Sequence, residues 1–388
     1  MSRLDELIAE LCPDGVEYRL LAELEDAKLI KLGRGNVISK KEIREIPGNY
    51  PVYSSSAVGN GEIGSYGKYM FNDERITWSI DGGGRFFYRP AHRYSITNVS
   101  GFIKILSKER INTKYLFYAL INEWRKKIFN YTHKAHPSII RNEYKIPIPP
   151  LPIQQEIVRI LDTFTELEAE LEAELEARKK QYEYYKNKLL NSDGIPNVKI
   201  MTLGDIGPVC MCKRILKGET KPIGEVPFYK IGTFGKRPDA FIPKEKFEQY
   251  KKEYSFPKRG DVLISAAGTI GRAVIYDGKP AYFQDSNIVW INNDESKVLN
   301  KYLYYYYLTN PWPVSKGGTI DRLYNDDIRR TKLAIPPLSE QERIVAILDR
   351  FDALCNDLTS GLPAEIEARR KQYEYYRDKL LTFREAKA

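Results

Sequence analysis

Two stretches of the chain carry apolar residues at helical spacing directly after a Pro-Pro-Leu turn. The apolar positions are Ile157, Ile160, Leu161 and Phe164 in the first stretch, and Ile344, Ile347, Leu348 and Phe351 in the second. Spacings of three and four residues place such side chains on one face of an α-helix. Because the residue before a proline avoids the α region, each Pro-Pro turn is expected to end an extended segment.

The two predicted helices differ at their starts and along their lengths. Ser339 is followed three residues later by Glu342, which predicts a capping box, whereas Pro152 stands at the matching place in the first half. From Glu166 the first helix consists of three Glu-Leu-Glu-Ala units, and it is predicted to run over 153–190, about 55 Å. The second helix should bend or break at Gly361 and Pro363.

A long helix with a narrow apolar stripe needs a partner, and the homologous helix of the other half is the obvious one. The alternative is a surface helix that lies on its own domain. Both possibilities follow from the apolar pattern alone, in which Leu167, Leu171 and Leu175 are four residues apart.

The chain is an internal repeat. Residues 145–164 match residues 332–351 at an offset of 332 − 145 = 187, and residues 177–190 match 368–381 at 368 − 177 = 191. Four extra residues therefore lie between Phe351 and Ala368, and the two halves are roughly 1–190 and 191–388. The end of each half is repeated closely, whereas its beginning has diverged, which indicates duplication.

The diverged parts have a different pattern. Residues 50–110 and 226–296 are rich in β-branched and aromatic residues punctuated by glycine, which predicts strands and turns. Helical stretches follow at 114–129 and 301–308. We therefore expect an α+β fold in which each half is a globule followed by a long helix.

Composition and charge narrow the class of protein. The 388 residues suffice for two or three domains, and a net charge of +9 favours a polyanionic partner, most often nucleic acid. The first residues carry both charge signs without an apolar run, and there is no apolar stretch of the ~20 residues that a membrane span needs, so we expect a cytoplasmic protein. Cys12, Cys210, Cys212 and Cys355 are expected to be reduced structural thiols, because one C-x-C pair is weak support for zinc.

Motifs for catalysis are missing or weak. There is no P-loop, and Asn310-Pro311-Trp312-Pro313 lacks the second adjacent proline and the aromatic of an adenine methyltransferase motif. Gly82-Gly83-Gly84 is better explained as a tight turn than as a phosphate cradle. Asp14 and Glu17 resemble a nuclease carboxylate pair only loosely, and His133 and His136 have no histidine counterparts in the second half.

With two diverged globules, two repeated helices and a tetrapeptide repeat, the chain resembles the specificity subunits of type I restriction–modification enzymes over its whole length. The closest motif is the proline-rich turn with its Gln-x-x-Ile-Val-x-Ile-Leu-Asp-x-Phe continuation, at 145–164 and 332–351. The segments from Gly260 to Arg272 and from Gly318 to Ile328 resemble motifs of that family's target recognition domains. The first half departs from the former motif, because Asp73-Glu74-Arg75-Ile76-Thr77 replaces Gly-Asp-Val-Leu-Ile.

The resemblance implies two α/β target recognition globules with internal pseudo-two-fold symmetry, joined by two long helices that form an antiparallel coiled coil. Target recognition domains would occupy 1–150 and 196–336, and spacer helix regions 151–195 and 337–388. Each globule would read one half of a split sequence in double-stranded DNA. Two methyltransferase subunits would dock on the helices, restriction subunits could join, and S-adenosylmethionine, ATP and Mg²⁺ would belong to those partners, leaving this chain with no cofactor.

Contacts to base edges and phosphates require polar and cationic side chains on exposed loops. The DNA-contact candidates in the first half are Ser54, Ser55, Ser56, Asn60, Arg85, Asn98, His133, Lys134 and His136. In the second half they are Lys230, Thr233, Lys236, Arg237, Arg272, Gln284, Asn287, Lys316, Thr319 and Arg322. Arg85 and Arg272 follow glycine at matching positions, which is equally compatible with a structural role. The docking candidates are Tyr182, Tyr184, Tyr185, Tyr373, Tyr375 and Tyr376, and the alternative for them is packing between the long helices.

The tetrapeptide repeat suggests how the two readers would be spaced. Four added residues lengthen a helix by about 6 Å, which corresponds to one or two base pairs of ~3.4 Å, and the four extra residues of half two fall in the corresponding place. Two other functions remain open: a nuclease or methyltransferase in which the repeat is architectural, and a coiled-coil adaptor with no DNA role.

Overall fold

The computed structural model describes residues 2–56, 59–129, 134–191, 194–312 and 322–386. The chain divides into two compact units, and each unit combines parts of both halves. Unit 1 is Met1–Glu172 with Ile366–Ala388, and unit 2 is Ala173–Glu365. The domain bounds given above stay a prediction.

The first half contains six helices and nine strands among its described residues. The helices are α1 (Arg3–Leu11), α2 (Leu21–Asp26), α3 (Lys40–Glu45), α4 (Thr113–Trp124), α5 (Pro137–Glu143) and α6 (Leu151–Leu190). The strands are β1 (Tyr18–Leu20), β2 (Ile30–Arg34), β3 (Tyr50–Tyr53), β4 (Glu62–Tyr66), β5 (Arg75–Ser79), β6 (Phe86–Arg89), β7 (Ser95–Ile96), β8 (Ser100–Ile105) and β9 (Lys145–Pro147).

The second half has the same number of strands in its described part, and its short helices lie at partly different places. Its helices are α7 (Leu203–Ile206), α8 (Lys244–Glu253), α9 (Asn300–Tyr307), α10 (Asn325–Arg330), α11 (Leu338–Asn356) and α12 (Leu362–Leu380). Its strands are β10 (Lys199–Thr202), β11 (Val209–Cys210), β12 (Val226–Tyr229), β13 (Phe241–Ile242), β14 (Val262–Ser265), β15 (Ala273–Ile275), β16 (Tyr282–Phe283), β17 (Ile288–Ile291) and β18 (Lys332–Ile335).

Each unit contains the same three sheets. An antiparallel sheet has the order β2-β8-β5-β6 in unit 1 and β11-β17-β14-β15 in unit 2. A three-stranded sheet with one parallel pair has the order β4-β3-β7 or β13-β12-β16, and a third sheet pairs β1 with β9 or β10 with β18. The α+β architecture with internal symmetry is therefore confirmed, and the offset of 187 extends back to β5 and β14.

The long helices begin in the cores of the two units. Ile157, Leu161, Ile344 and Leu348 are fully buried, as their spacing predicts. Both helices start at the leucine of the Pro-Pro-Leu turn, and the carbonyl of the preceding proline, Pro150 or Pro337, accepts the first helical hydrogen bonds. The predicted capping box at Ser339 and Glu342 is wrong, because the N-cap is Pro337 and Ser339 already lies in the first turn.

One buried glutamine joins each helix start to its globule. The amide nitrogen of Gln154 donates to the carbonyls of Arg110 (2.9 Å) and Pro149 (2.7 Å), and its oxygen accepts from the Asn112 amide (2.8 Å). Gln341 makes the same three bonds in unit 2, to Lys297, Pro336 and Leu299. An amide side chain with all three bonds made is tolerated in an apolar core.

A second repeated contact lies eight residues, about two turns, further along each helix. Asp162 accepts from Lys114 Nζ (2.6 Å) and from the hydroxyl of Tyr118 (2.7 Å). Asp349 accepts in the same way from Lys301 (2.5 Å) and Tyr305 (2.6 Å). Burial, and then the hydrogen bond to the aspartate, raise the pKa of both tyrosines, which keeps their hydroxyls protonated and donating.

Further along, helix segments of the two halves pair in opposite directions. In unit 1, Phe164 of α6 stacks on Tyr376 of α12 at 5.4 Å between ring centroids, and Arg370 bonds to Glu168 and Glu172. As α6 advances from 164 to 172, its partner therefore recedes from 376 to 370. The homologous rings pair in unit 2, where Phe351 of α11 stacks on Tyr185 of α6 at 5.8 Å. The antiparallel helix pairing is confirmed in both units.

The second repeated helix is interrupted. Helix α11 ends at Asn356 and α12 begins at Leu362, which confirms the predicted break near Gly361 and Pro363. The four extra residues of the second half are thus absorbed in the connection at 357–361. The interpretation that they lengthen a helix by about 6 Å is wrong for this half, because a turn does not add helical rise.

Replacing Gln154 with leucine should lower the free energy of unfolding by about 1–3 kcal/mol, since the buried Pro149 carbonyl would lose this donor and two part-buried backbone groups would lose a partner. Gln155 is exposed on the next position of the same helix, so Gln155→Leu is the matched control and should change stability by less than about 0.5 kcal/mol. Denaturant unfolding measures both, and equal effects would contradict the role given to Gln154.

Candidate nucleic-acid interface

The serine candidates of the first half lie at the end of β3 and hold a neighbouring turn. Ser54 Oγ is 2.8 Å from Thr97 Oγ1, and Ser55 Oγ is 2.5 Å from Ser79 Oγ and accepts from the Asp81 amide at 3.0 Å. Ser56 is half-buried beside them. Ser54 and Ser55 thus shape the surface around Asp81 and have hydroxyls already engaged within the unit.

Two cationic or imidazole candidates lie near this turn. Lys134 Nζ is 3.1 Å from the Asp81 carboxylate. His136 is the exposed N-cap residue of α5. Because Lys134 is only partly exposed and has an acidic partner, a DNA phosphate would have to compete with Asp81 for it. His133 lies outside the described residues.

The asparagine candidates of the first half contribute backbone groups as well as side chains. The Asn60 carbonyl accepts from Arg89 at 2.7 Å, and its side-chain oxygen accepts from the Glu62 amide at 2.9 Å. The carbonyl of Asn98 accepts from Arg34. Asn60 is exposed and Asn98 half-buried, so Asn60 has the more accessible side chain.

Two of the second-half candidates form an ion pair or a hydrogen bond with neighbouring residues, while two others are exposed. Lys230 Nζ is 2.8 Å from Asp239, and the hydroxyl of Thr233 accepts from the Lys230 amide at 3.1 Å. Lys236 and Arg237 follow directly and are exposed. These two adjacent cations give unit 2 an accessible positive charge on the loop after β12.

Two of the remaining described candidates of unit 2 hold loops in place through side-chain hydrogen bonds, and a third lies in such a loop. Gln284 accepts from the Ile231 amide (3.0 Å), Arg322 donates to the Ser286 carbonyl (3.1 Å), and Asn287 is half-buried between them in sequence. Lys316 and Thr319 lie outside the described residues. The segment that contains Ser286 also has a left-handed backbone at that residue (φ 59°).

The two Gly-Arg pairs occupy matching turns in the two units. A side chain on Gly84 (φ 74°) would collide with Phe129, and one on Gly271 (φ 77°) would collide with Trp312, so glycine is required at both. Arg272 donates to the Phe234 carbonyl at 2.7 Å, whereas the Arg85 guanidinium lies 5.3 Å from the ring centre of Phe87. The structural role is therefore visible for Arg272.

Unit 1 contains a cavity that the sequence did not predict. Its volume is about 1,080 Å³, and it lies next to Asn60, Gly83 and Arg85. The walls are the aromatic residues Phe86, Phe87, Tyr88, Phe117, Trp124 and Phe129, and the cations Arg89, Arg125 and Lys127 join them. No local motif marks these residues, because they come from β6 and α4, which only the fold brings together.

The docking tyrosines fall into two classes. Tyr182 is 6% exposed and packs near Phe351 at 6.1 Å, and Tyr373 packs near Phe164 at 6.5 Å. Tyr185 and Tyr376 stack on the same two phenylalanines while remaining partly exposed. The packing alternative thus describes Tyr182, which is buried, and in part Tyr373, which is half-buried, while the docking role of the set stays a prediction.

Tyr184 and Tyr375 are the most exposed members of the tyrosine set, at 60% and 63%. Each contacts its neighbour edge-on, Tyr185 at 5.3 Å and Tyr376 at 5.4 Å. They occupy matching positions, since 375 − 184 = 191, and therefore present the same side chain twice on the chain.

The described residues offer little for catalysis. They contain no group of three or more histidine, cysteine, aspartate or glutamate side chains that could hold a metal ion. Asp14 and Glu17 are exposed, and Glu17 is 3.5 Å from Arg19. All four cysteines are free thiols, and burial raises the pKa of Cys212 to about 12. No helix in the described part of the chain is long and apolar enough to span a membrane.

Comparison with known proteins gives consistent matches over the whole chain. The family model "Type I restriction modification DNA specificity domain" matches twice, at residues 14–177 and 196–368. A Haemophilus influenzae protein named as a type I restriction enzyme specificity subunit is 46% identical over 388 residues, covering 95% of this chain and 96% of that protein. The specificity subunit of EcoR124I/EcoR124II from Escherichia coli is 34% identical over 298 residues, 70% of each chain.

Solved structures show the same fold. The crystal structure of a type I restriction–modification S subunit from M. genitalium has a TM-score of 0.54 at 17% identity, covering 95% of this chain and 96% of that chain. A chain from a study of complex assembly and conformational transition in the type I system has a TM-score of 0.57 at 16% identity, covering 96% and 98%.

Replacing Arg272 with glutamine should lower the stability of unit 2 by about 1–2 kcal/mol, because a charged donor to the Phe234 carbonyl is lost at a half-exposed site. The control, Arg237→Gln, removes a charge of the same sign from an exposed residue of the same unit. The free energy of unfolding, measured by thermal unfolding, should then change by less than about 0.5 kcal/mol. If both variants unfold alike, Arg272 does not anchor the loop.

Proposed function

Since the chain belongs to the family of type I restriction–modification DNA specificity subunits, we propose that its two units read the two halves of a split DNA target. The chain would supply recognition while its partners supply the chemistry. The observation that carries this proposal is the repeat itself. The same sheets, helix starts and buried polar contacts occur in both units, whereas the loop residues at their surfaces differ.

The proposed DNA contacts are members of the candidate set that are exposed or partly exposed. In unit 1 they are Asn60, Arg85, Lys134 and His136, and in unit 2 Lys236 and Arg237. Amide and imidazole groups can read base edges, and the cations can hold phosphates. The engaged members, such as Ser55, Gln284 and Arg322, would act by holding the loops from which these residues project.

The proposal assigns catalysis to other subunits. Methyltransferase subunits, two per chain, would dock on the repeated helices, and restriction subunits would complete the assembly where they are present. S-adenosylmethionine, ATP and Mg²⁺ would then be bound by those partners. A solved structure of similar fold comes from work on the assembly of the type I system, which supports a role within a complex. The proposed location is the cytoplasm, because the DNA is found there.

The competing proposal of a nuclease or methyltransferase in this chain has less support. Asp14 and Glu17, its best candidates, are exposed at the start of unit 1. Alanine at both positions would separate the two proposals, since a recognition subunit should keep DNA binding and the activity of its complex.

Footprinting of the chain with its methyltransferase subunit should show two protected half-sites with a fixed gap, and binding should weaken steeply with salt.

Deleting residues 170–173, one Glu-Leu-Glu-Ala unit of α6, shortens the helix by about 6 Å and should narrow the gap between the two protected half-sites by one or two base pairs of ~3.4 Å. The control replaces Glu170 and Glu172 with alanine and keeps the length, so its gap should not change. Equal protection of all duplexes would refute the recognition role.

Replacing Tyr184 and Tyr375 together with alanine should weaken binding of the methyltransferase subunit by at least about tenfold, because exposed aromatic side chains often dominate interfaces. Stability should change by less than about 0.5 kcal/mol, as expected for exposed positions. Tyr254→Ala removes an exposed tyrosine at the end of α8 and serves as the control in a titration by calorimetry. Unchanged affinity in the double variant would place the docking surface elsewhere.

A further inference from the structure

Arg89 is a buried cation that has no carboxylate partner among the residues the structure describes. It is 6% exposed. Its guanidinium donates to Thr77 Oγ1 (3.1 Å) and to the Asn60 carbonyl (2.7 Å), and it lies 3.6 Å from the ring centre of Tyr53. Burial lowers the pKa of Arg89, but arginine stays charged at neutral pH. Buried charges are normally paired with an opposite charge, so this one calls for an anion.

The cavity of unit 1 supplies the space for that anion. Arg89 lines it together with Arg125 and Lys127, whose charges are partly met by Glu374 (2.7 Å) and Glu143 (3.6 Å). Arg89 is thus a buried cation of this cavity for which the described ranges show no carboxylate partner. The acidic residue that acts on it electrostatically is Glu62, which is exposed and forms no ion pair with it in the described part of the chain.

Most of the other residues that line the cavity are aromatic or apolar. Phe87, Phe117 and Trp124 face the space, and Ile128 at its edge is 86% exposed. Trp124 is held by a hydrogen bond from its indole nitrogen to the Gly83 carbonyl at 2.7 Å. Such surfaces stack on flat rings, including nucleobases. A volume of about 1,080 Å³ is sufficient for one small ligand.

The scaffold does not require these residues. At the offset of 187, Arg89 corresponds to Tyr276, Arg125 to Trp312 and Trp124 to Pro311. Strand β15 pairs with β14 in the antiparallel sense, as β6 pairs with β5, but its register is shifted by one residue, so Ile275 stands opposite Val262 where Arg89 stands opposite Arg75. The sheet therefore forms without a cation at either position. A feature present in one half alone and absent from its structural duplicate is better explained by a ligand than by folding.

We propose that the cavity of unit 1 binds one nucleotide, with its phosphate at Arg89 and its base against the aromatic wall. The ligand is defined by its chemistry, an aromatic base that carries a phosphate. It could be a free nucleoside monophosphate or a nucleotide of bound DNA that has left the base stack. The site exists once per chain, and its occupation by a free nucleotide does not depend on DNA recognition.

The first experiment titrates the full-length chain, without DNA, with adenosine monophosphate, adenosine and inorganic phosphate. Calorimetry should show one site per chain for the monophosphate and at least about tenfold weaker binding of the two fragments, because each makes half of the contacts. Arg89→Gln should weaken binding of the monophosphate by about tenfold or more and leave that of adenosine within about twofold. Ile121→Trp fills the cavity without a change of charge and should abolish binding of both.

The second experiment tests a nucleotide of bound DNA as the source. Duplexes with 2-aminopurine at successive positions of the target are bound to the complex of the chain with its methyltransferase subunit. A base that enters the unit 1 cavity should change its fluorescence in a way that Arg89→Gln and Ile121→Trp abolish, while footprints of the unit 2 half-site persist. Lys41→Gln, an exposed cation of α3, controls for the loss of one charge, and circular dichroism checks that each variant is folded.

The outcomes separate the sources. Binding of the free monophosphate that depends on Arg89 supports the site with a free ligand, and a fluorescence change that depends on Arg89 supports it with DNA. Neither signal, or binding that both cavity variants leave unchanged, would overturn the proposal. Two equivalent sites per chain would also overturn it, since the second half has no cation at the positions that match Arg89, Arg125 and Lys127. Loss of split-target recognition with nucleotide binding intact would refute the proposed function alone.

Discussion

Neither half of this chain completes its own helix packing, and the rest of the structure depends on that constraint. The end of α6, from Ala173, belongs to unit 2, and the end of α12, from Ile366, belongs to unit 1. Phe164 packs against Tyr376 and Phe351 against Tyr185, so each globule receives a tyrosine-bearing helix end from the other half. A helix with a narrow apolar stripe is stable only when such a partner covers it.

This exchange explains which parts of the duplicated sequence stayed alike. The repeated helices supply homologous ring contacts in both units, whereas each loop belongs to one unit alone. The choice of residue is most restricted at Gln154 and Gln341, because each forms hydrogen bonds with three backbone groups that no smaller or apolar residue could satisfy. The residues after α12 also pack in unit 1, which is built mainly from the first half. Leu381 is buried there, and the Val16 amide donates to the Arg384 carbonyl at 2.8 Å.

The periodic features were predictable from the sequence, and the features that depend on three-dimensional neighbours were not. Helical spacing identified Ile157 and Leu348 as core residues, because periodicity reports burial directly. The capping box at Ser339 failed since the preceding proline already ends the extended segment and supplies the first acceptor carbonyl. The helix after β8 ends at Trp124, short of the predicted 129. The sequence did not single out Arg89, because its burial and its neighbours are set by the fold. Tyr182 was predicted to lie on a docking surface, because the sequence does not show which helix face a partner helix covers.

A duplicated fold lets each position be compared with its structural twin. Asp162 and Asp349 are the same residue with the same two donors, so they belong to the scaffold. Arg85 and Arg272 are the same residue directly after a glycine, and in unit 2 this arginine donates to the Phe234 carbonyl. The glycine of each turn belongs to the scaffold as well, because a side chain there would collide with Phe129 in unit 1 and with Trp312 in unit 2.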